Sequence, residues 1–146
     1  MENNVSNKVA IIVGSVLGAT EYVAEAVENC LKDKGYEPQV FLAPNIDDIP
    51  TDVEWLICTS THGAGDLPDN IVPFANALNN VDLSSHKARI IGLGDSSYDT
   101  YCYGAMTMEK KLIAAGSTLV TPVHTIDVLH HPIPEDEAVK WVNENY

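Results

Sequence analysis

Basic side chains are scarce in this chain. Its 146 residues include 8 Lys and Arg against 21 Asp and Glu, which gives a formal net charge of −13. Nucleic acids and anionic membrane surfaces are bound through clustered Lys and Arg. The composition therefore predicts that neither is a partner, and a basic protein surface suits the charge better.

Long apolar runs and paired cysteines are also missing. No stretch reaches the roughly 18 consecutive apolar residues of a membrane-spanning helix, and the first residues lack the basic and apolar regions of a secretory signal. The three cysteines, Cys30, Cys58 and Cys102, are far apart and form no Cys-x-x-Cys pair. We therefore expect free thiols in a reducing, cytoplasmic compartment, without membrane association.

What the chain does contain is a regular alternation of strand-like and helix-like segments. Val- and Ile-rich runs predict strands at 8–13, 37–42, 54–60, 88–93 and 118–126. Apolar residues at helical spacing predict helices at 20–34, 70–80, 104–115 and 134–145. This order predicts an α/β fold: a doubly wound, five-stranded parallel sheet with right-handed crossovers, formed as a single domain over residues 1–146.

Three turn-rich loops each follow one of these predicted strands. They are residues 14–20 (GSVLGAT), 60–66 (STHGAGD) and 92–98 (GLGDSSY). Loops at the carboxyl ends of parallel strands converge on one crevice. The first loop is suited to a phosphate, and His62 and Tyr98 each offer a ring to a flat ligand. Together they indicate bound flavin mononucleotide (FMN).

Other phosphate and nucleotide motifs do not fit these loops. No Gly-Lys-Ser/Thr follows Gly14 or Gly18, which excludes a P-loop. The first loop also breaks the Gly-x-Gly-x-x-Gly dinucleotide pattern, and no acid ends the second strand. A phospho-accepting receiver domain needs clustered acids where this chain has Ser15 and Ser60.

The remaining possibility for the first loop is a phosphate site without a cation. Ser15 and Thr20 carry hydroxyls, and the amides of residues 17–20 open a helix whose positive end faces the loop. No Lys or Arg occurs from Val9 to Leu31. A plain strand–helix turn with Thr20 as the N-cap explains the same residues. The first loop alone leaves both interpretations open.

Taken together, the loops resemble the flavodoxin family, and most closely the small MioC-type flavodoxins. The resemblance runs from about residue 9 to residue 141, and it is most specific at 60–70 (STHGAGDLPDN) and 92–101 (GLGDSSYDTY). Residues 133–136 (IPED), followed by Trp141, are also similar to the MioC type. The loops are similar to the FMN domains of diflavin reductases as well. The resemblance implies sheet order 2-1-3-4-5, with FMN between strands one and three.

The resemblance also implies a place for each loop around FMN. The first loop holds the phosphate, the second lines one face of the ring, and the third covers the other face, with Tyr98 stacked on the ring. The implied cofactor-binding residues are Ser15, Val16, Leu17, Gly18, Ala19 and Thr20; Ser60, Thr61, His62 and Gly63; and Leu93, Gly94, Asp95, Ser96, Ser97, Tyr98, Asp99, Thr100, Tyr101 and Cys102.

The implied function is transfer of single electrons from an NADPH-dependent flavoprotein reductase to an acceptor redox enzyme. In the family, the peptide at Gly63 presents its carbonyl to the flavin. No catalytic residue and no metal are expected. Four acids, Asp66, Asp69, Asp95 and Asp99, surround the expected ring and disfavour its reduced anion. Ordinary loop solubility is the alternative explanation for them.

Two positions depart from family patterns. Phosphate loops in the family read Ser/Thr-x-Thr-Gly-x-Thr, and here Leu17 replaces the middle hydroxyl. One hydrogen bond to the phosphate is lost, so we expect FMN to bind less tightly than is usual. Diflavin reductases have an acid where this chain has His130 and His131, and these two histidines are left unassigned.

Two other functions remain open at this point. An FMN-dependent oxidoreductase of the quinone-reductase type needs more loop mass over the flavin than residues 64–70 and 99–103 supply. A cofactor-free interaction module is kept open by Leu17. The five histidines show no metal-site spacing.

Charge is also predicted to be unevenly placed along the fold. No Lys or Arg occurs in the three loops. The basic residues near strand starts and at the end of the first helix belong to the opposite end of the sheet: Lys8, Lys32, Lys34, Lys87 and Arg89. The sequence thus predicts a negative pole at the crevice, which would attract a basic partner.

Overall fold

The structure, a computed structural model, describes residues 7–16 and 18–146. Its strands are β1 Lys8–Gly14, β2 Glu37–Phe41, β3 Glu54–Thr59, β4 Lys87–Gly94, β5 Thr118–Leu119 and β6 His124–Asp127. Its α-helices are α1 Ala19–Asp33, α2 Val72–Ala77, α3 Tyr103–Ala115 and α4 Pro134–Asn145, with 3-10 turns at Ile46–Asp48 and Leu78–Asn80. Strands and helices alternate as predicted.

The strands form one parallel sheet in the order β2-β1-β3-β4-β5, with β6 also paired to β4. In the register of β1, Ile11 lies opposite Val40 of β2 and Leu56 of β3. Strands β1 and β3 are interior and almost wholly apolar, as strands covered on both faces should be. The predicted doubly wound fold and its strand order are confirmed.

Alternate residues of the interior strands pack on opposite faces of the sheet. In β1, Val9, Ile11 and Val13 belong to the core beneath α1 and α4. Ala10 and Ile12 belong to the core beneath α2 and α3. All five side chains are at most 3% exposed. This double layer fixes the strand ends, and with them the loops that carry the candidate site.

The fifth strand differs from the prediction of one continuous strand over 118–126. Leu119 of β5 lies opposite Ala88 of β4, and His124 of β6 lies opposite Ile91. Residues 119–124 span five steps where the matching part of β4 spans three, so residues 121–123 leave the sheet, while Val120 N–H still donates to the Ala88 carbonyl at 3.1 Å. Pro122 lies in this segment, and it has no N–H to donate to a neighbouring strand.

The helix predicted at 70–80 is also shorter than expected. α2 begins at Val72, with Pro73 in its first turn, and gives way to a 3-10 turn at Leu78. Asn70 lies outside the helix, and its side chain binds the backbone of Val13 in β1, of Ser15 just after β1 and of Leu42 just after β2. Within residues 7–16 and 18–146, no helix combines the length and the hydrophobicity that crossing a membrane requires.

Candidate functional site

Four loops meet at the carboxyl edge of the sheet, after β1, β3, β4 and β6. They enclose two adjoining cavities that share Thr61, Gly94 and Asp95 in their walls. The helix cavity, of about 290 Å³, opens at the start of α1. The tyrosine cavity, of about 370 Å³, is bounded by Tyr98 and Tyr101.

Most of the predicted site residues line these cavities. The helix cavity is lined by Ser15, Val16, Ala19, Thr20, Ser60, Thr61, His62, Leu93, Gly94 and Asp95, together with Val128. The tyrosine cavity is lined by Thr61, Gly63, Gly94, Asp95, Tyr98, Thr100, Tyr101 and Cys102. Gly18, Ser96, Ser97 and Asp99 line neither of the two cavities. Leu17 lies outside the described residues.

The first loop presents the amino end of α1 to the helix cavity. Gly18 is the N-cap residue, with a left-handed φ of 91°, and no side chain among the described residues caps the helix. Tyr22 N–H donates to the Gly18 carbonyl at 3.1 Å, so the amides before Tyr22 precede the first helical hydrogen bond. Thr20 lies inside the first turn and is 1% exposed, so it is not the N-cap. An uncapped, 15-residue helix of this kind favours an anion at its start.

The second loop is a tight turn closed by two backbone hydrogen bonds. His62 N–H donates to the Asp66 carbonyl at 2.7 Å, and Asp66 N–H donates to the His62 carbonyl at 2.8 Å. Gly63 and Gly65 have φ values of 55° and 103°, a region that favours glycine. Thr61 Oγ1 accepts from Gly104 N–H at 3.0 Å, which ties the loop to α3.

The third loop is held by two aspartates. Asp95 Oδ1 accepts from the backbone and the hydroxyl of Ser97, at 2.9 and 2.6 Å. Asp127, at the end of β6, accepts from the backbone N–H groups of Ser96 and Leu129, both at 3.1 Å. Hydrogen bonds from Ser96 hold the pKa of Asp127 below its ordinary value. The carboxylate of Asp127 thus joins the third loop to the segment that carries Val128.

Aromatic and thiol groups form much of the tyrosine cavity. Tyr98 is 64% exposed, which leaves its ring available to a ligand. Burial raises the pKa of Tyr101, and it raises the pKa of the Cys102 thiol to about 11. Cys102 is therefore protonated near neutrality and unsuited to nucleophilic chemistry. His62 lines the helix cavity and not the tyrosine cavity.

The distribution of charge follows the prediction in part. Asp66, Asp69 and Asp99 are exposed on the crevice loops. At the opposite end, Arg89 pairs with Glu54 and lies 4.2 Å from the centre of the Tyr146 ring. Its side chain is 15% exposed, so Arg89 adds less to a positive pole than the sequence suggested.

Three residues of the site were missed by sequence reasoning. Val128 lines the helix cavity, Asp127 holds the third loop, and Asn70 binds the first loop. All three lie in segments for which no ligand role was predicted. The only signal for Asp127 was its place at the carboxyl end of a strand, where ligand sites of such sheets are found.

The two cavities suit FMN in their lining groups and in their size. The start of α1 and the hydroxyls of Ser15 and Thr20 suit a phosphate at one end. The exposed Tyr98 ring at the other end suits a flat isoalloxazine. The cavities adjoin, and each is close to or within the size range of small-molecule sites, about 300–1,000 Å³.

Comparisons with known proteins match nearly the whole chain. The flavodoxin family model matches residues 11–141. Protein MioC homolog of Haemophilus influenzae is 40% identical over 92% of this chain and 93% of its own length. Protein MioC of Escherichia coli K12 is 39% identical over 92% of each chain. The solved structure of a cysteine-to-serine mutant of flavodoxin from Pseudomonas aeruginosa superposes with a TM-score of 0.87, at 33% identity, covering 94% of this chain and 95% of that one.

These matches confirm the predicted resemblance, including its MioC-like character. Flavodoxins bind FMN and carry electrons, and they do not convert substrates of their own. A crevice suited to a phosphate at one end and a flat ring at the other is what such a cofactor needs, and the chain belongs to the flavodoxin family of FMN-binding electron-transfer proteins.

Proposed function

We propose that FMN lies across both cavities, with its phosphate at the start of α1 and its ring in the tyrosine cavity. The observation that carries this proposal is the amino terminus of α1, which opens into a cavity that shares Thr61, Gly94 and Asp95 with the cavity beside Tyr98. Residues 1–146 then act as one FMN-binding domain. The expected phosphate ligands are the amides of the first turn and the hydroxyls of Ser15 and Thr20.

When bound, FMN supplies the one-electron chemistry, and the chain supplies binding, orientation and electrostatics. Thr61, shared by both cavities, is fixed to α3 through its hydrogen bond with Gly104. Tyr98 offers its ring to one face of the ligand. Gly63, in a left-handed conformation, is able to turn its peptide at little conformational cost. With FMN bound, the Gly63 carbonyl would be available to accept a hydrogen bond from the edge of the ring.

The partners that we propose are an NADPH-dependent flavoprotein reductase and an acceptor redox enzyme, each docking through a basic surface in the cytoplasm. Asp66, Asp69 and Asp99 are exposed beside the cavities, and the crevice loops contain no Lys or Arg. Such a charged rim steers diffusion and orients a transient complex. The comparisons favour neither a quinone-reductase activity nor a cofactor-free module.

Stopped-flow reduction of the FMN-loaded protein tests the electron-carrier role. NADPH alone should not reduce the flavin, and NADPH with a catalytic amount of a flavodoxin reductase should reduce it rapidly. The reduced protein should then pass electrons to cytochrome c, a basic acceptor. Rapid reduction by NADPH without the reductase would support the quinone-reductase alternative and contradict the carrier role.

The salt dependence of the same reaction tests the docking surface. Raising ionic strength from about 0.01 to 0.15 M shortens the Debye length from roughly 30 to 8 Å. The reduction rate should fall by about tenfold or more. Asp66→Asn with Asp69→Asn should slow the reaction at low salt, while Lys32→Gln with Lys34→Gln serves as the matched control at the far end. If the rate of flavin reduction changed neither with salt nor with the loop acids, the reductase would dock on a surface other than the acidic rim of the crevice.

A further inference from the structure

Asn70 lies between the second loop and α2, and its side chain binds three backbone groups of distant segments. Its Oδ1 accepts from the Ser15 N–H at 2.9 Å. Its Nδ2 donates to the carbonyls of Val13 and Leu42, at 2.8 and 2.9 Å. Both N–H donors of the amide are therefore used, and so is its oxygen. The reversed amide would place donor against donor at Ser15, so these partners fix the orientation of the group.

The groups that Asn70 binds define the entrance to the first loop. Val13 and Ser15 flank Gly14, the last residue of β1, and Leu42 follows the end of β2. Ser15 in turn accepts a hydrogen bond at its Oγ from Gly18 N–H, at 3.1 Å. Gly18 is the N-cap residue of α1. A continuous series of hydrogen bonds thus runs from Asn70 through Ser15 to the start of the helix.

The first loop depends on such a support more than a loop with a cation would. No Lys or Arg lies between Val9 and Leu31, and none is among the described residues that line the helix cavity, so amides and hydroxyls are the groups available to hold a phosphate there. These groups have short reach, and they bind an anion well only when their geometry is set in advance. A long, flexible Lys side chain could still reach the phosphate from a displaced loop, but a backbone amide could not.

We propose that Asn70 is a positioning residue for the phosphate of FMN: it holds Ser15 and the start of α1 in binding geometry before the ligand arrives. This inference rests on the proposed placement of the phosphate at α1. Asn70 need not touch the flavin, and it lines neither of the two cavities. It also follows the turn that carries Gly63, so one side chain connects the loop for the ring to the loop for the phosphate.

The test compares FMN with riboflavin, which lacks the phosphate. Asn70→Ala should weaken FMN binding by about tenfold or more and change riboflavin binding by less than about twofold, as measured by isothermal titration. The ratio of the two affinities then falls by about tenfold. Asn76→Ala is the matched control, because Asn76 is an exposed asparagine of α2. It should leave the ratio unchanged.

A second readout does not depend on the flavin at all. In the apoprotein, the Ser15 amide should exchange its hydrogen slowly because Asn70 accepts it. In Asn70→Ala this exchange should accelerate by about tenfold or more, while amides in the middle of β3 keep wild-type rates. Asn70→Leu keeps a similar size and adds no charge, but it loses the acceptor for Ser15 and the donors to Val13 and Leu42. It replaces the Ala variant if that variant does not fold, and it too should lower the ratio.

The outcomes separate this inference from the proposed function. An unchanged FMN-to-riboflavin ratio in a folded Asn70 variant would overturn the positioning role, as would equal losses for both flavins. Fast Ser15 exchange in the wild-type apoprotein would also overturn it. If the wild-type protein bound neither flavin while Ser15 remained protected through Asn70, the proposed function would fail and the hydrogen-bonded support would stand.

Discussion

Removing the Thr20 hydroxyl tests whether the start of α1 binds the phosphate. Thr20 lies in the first helical turn, lines the helix cavity and is 1% exposed. A hydrogen bond to a charged group contributes about 1.5–3 kcal/mol. At about 1.4 kcal/mol per factor of ten, Thr20→Ala should weaken FMN binding by roughly 10- to 150-fold. Riboflavin binding should hardly change, because riboflavin has no phosphate to lose.

Titration of the apoprotein with each flavin, followed by fluorescence quenching, measures both affinities. Thr20→Val separates the hydroxyl from the volume of the side chain, and it should behave like the Ala variant. Thr20→Ser retains the hydroxyl and should stay close to wild type. Thr118→Ala, at an exposed site at the far end of the sheet, is a further control. Equal losses for FMN and riboflavin, or no loss for either, would refute the assignment.

Further predictions concern packing, stacking and acid stability. A Cβ at Gly94 would lie 2.8 Å from Sγ and 2.9 Å from the backbone nitrogen of Cys102. Gly94→Ala should therefore lower the free energy of unfolding by about 1–3 kcal/mol, and an unchanged urea unfolding curve would contradict this. Tyr98→Leu should restore part of the flavin fluorescence that stacking quenches, and equal quenching in both proteins would exclude the stack. Burial lowers the pKa of His86 below 6.5, so the unfolded chain takes up a proton first, and stability should fall as the pH drops below 6.5. His86→Gln should make stability depend less steeply on pH below 6.5. If the dependence stays equal to that of the wild type, other titratable groups cause it.

The strand order and most element boundaries follow from local patterns. The apolar runs of β1 and β3 are long enough to be interior strands, and Gly116, with a φ of 106°, ends α3 where it was predicted. The break after Leu119 was not predictable in the same way. The sequence of residues 120–123 is compatible with a continuous strand. Only the pairing with β4 shows that this segment has more residues than the part of β4 that lies beside it.

The candidate site likewise contains residues that local sequence predicts and residues that only the tertiary structure reveals. Loops after interior strands were predictable because their residues are local in sequence and their convergence follows from the parallel sheet. Asn70 was not predictable, because an asparagine just before a helix is ordinarily explained as a cap. Its three partners lie 28 to 57 positions away in the sequence. The ion pair between Arg89 and Glu54 was likewise not predictable, because it requires β3 and β4 to be neighbours in the sheet. This pair reduces the positive charge that the sequence predicted at the end of the sheet opposite the crevice.

Calorimetric titration of the purified apoprotein with FMN, riboflavin and FAD is the most direct test of FMN binding by this chain. One FMN should bind per chain, and more tightly than riboflavin, because the phosphate meets the start of α1. FAD should bind more weakly than FMN, because its corresponding phosphate is bridging and singly charged, whereas the start of α1 favours a terminal, doubly charged phosphate. Riboflavin or FAD binding as tightly as FMN would contradict the phosphate site, and the absence of any flavin binding would contradict a role of this chain as an FMN-dependent electron carrier.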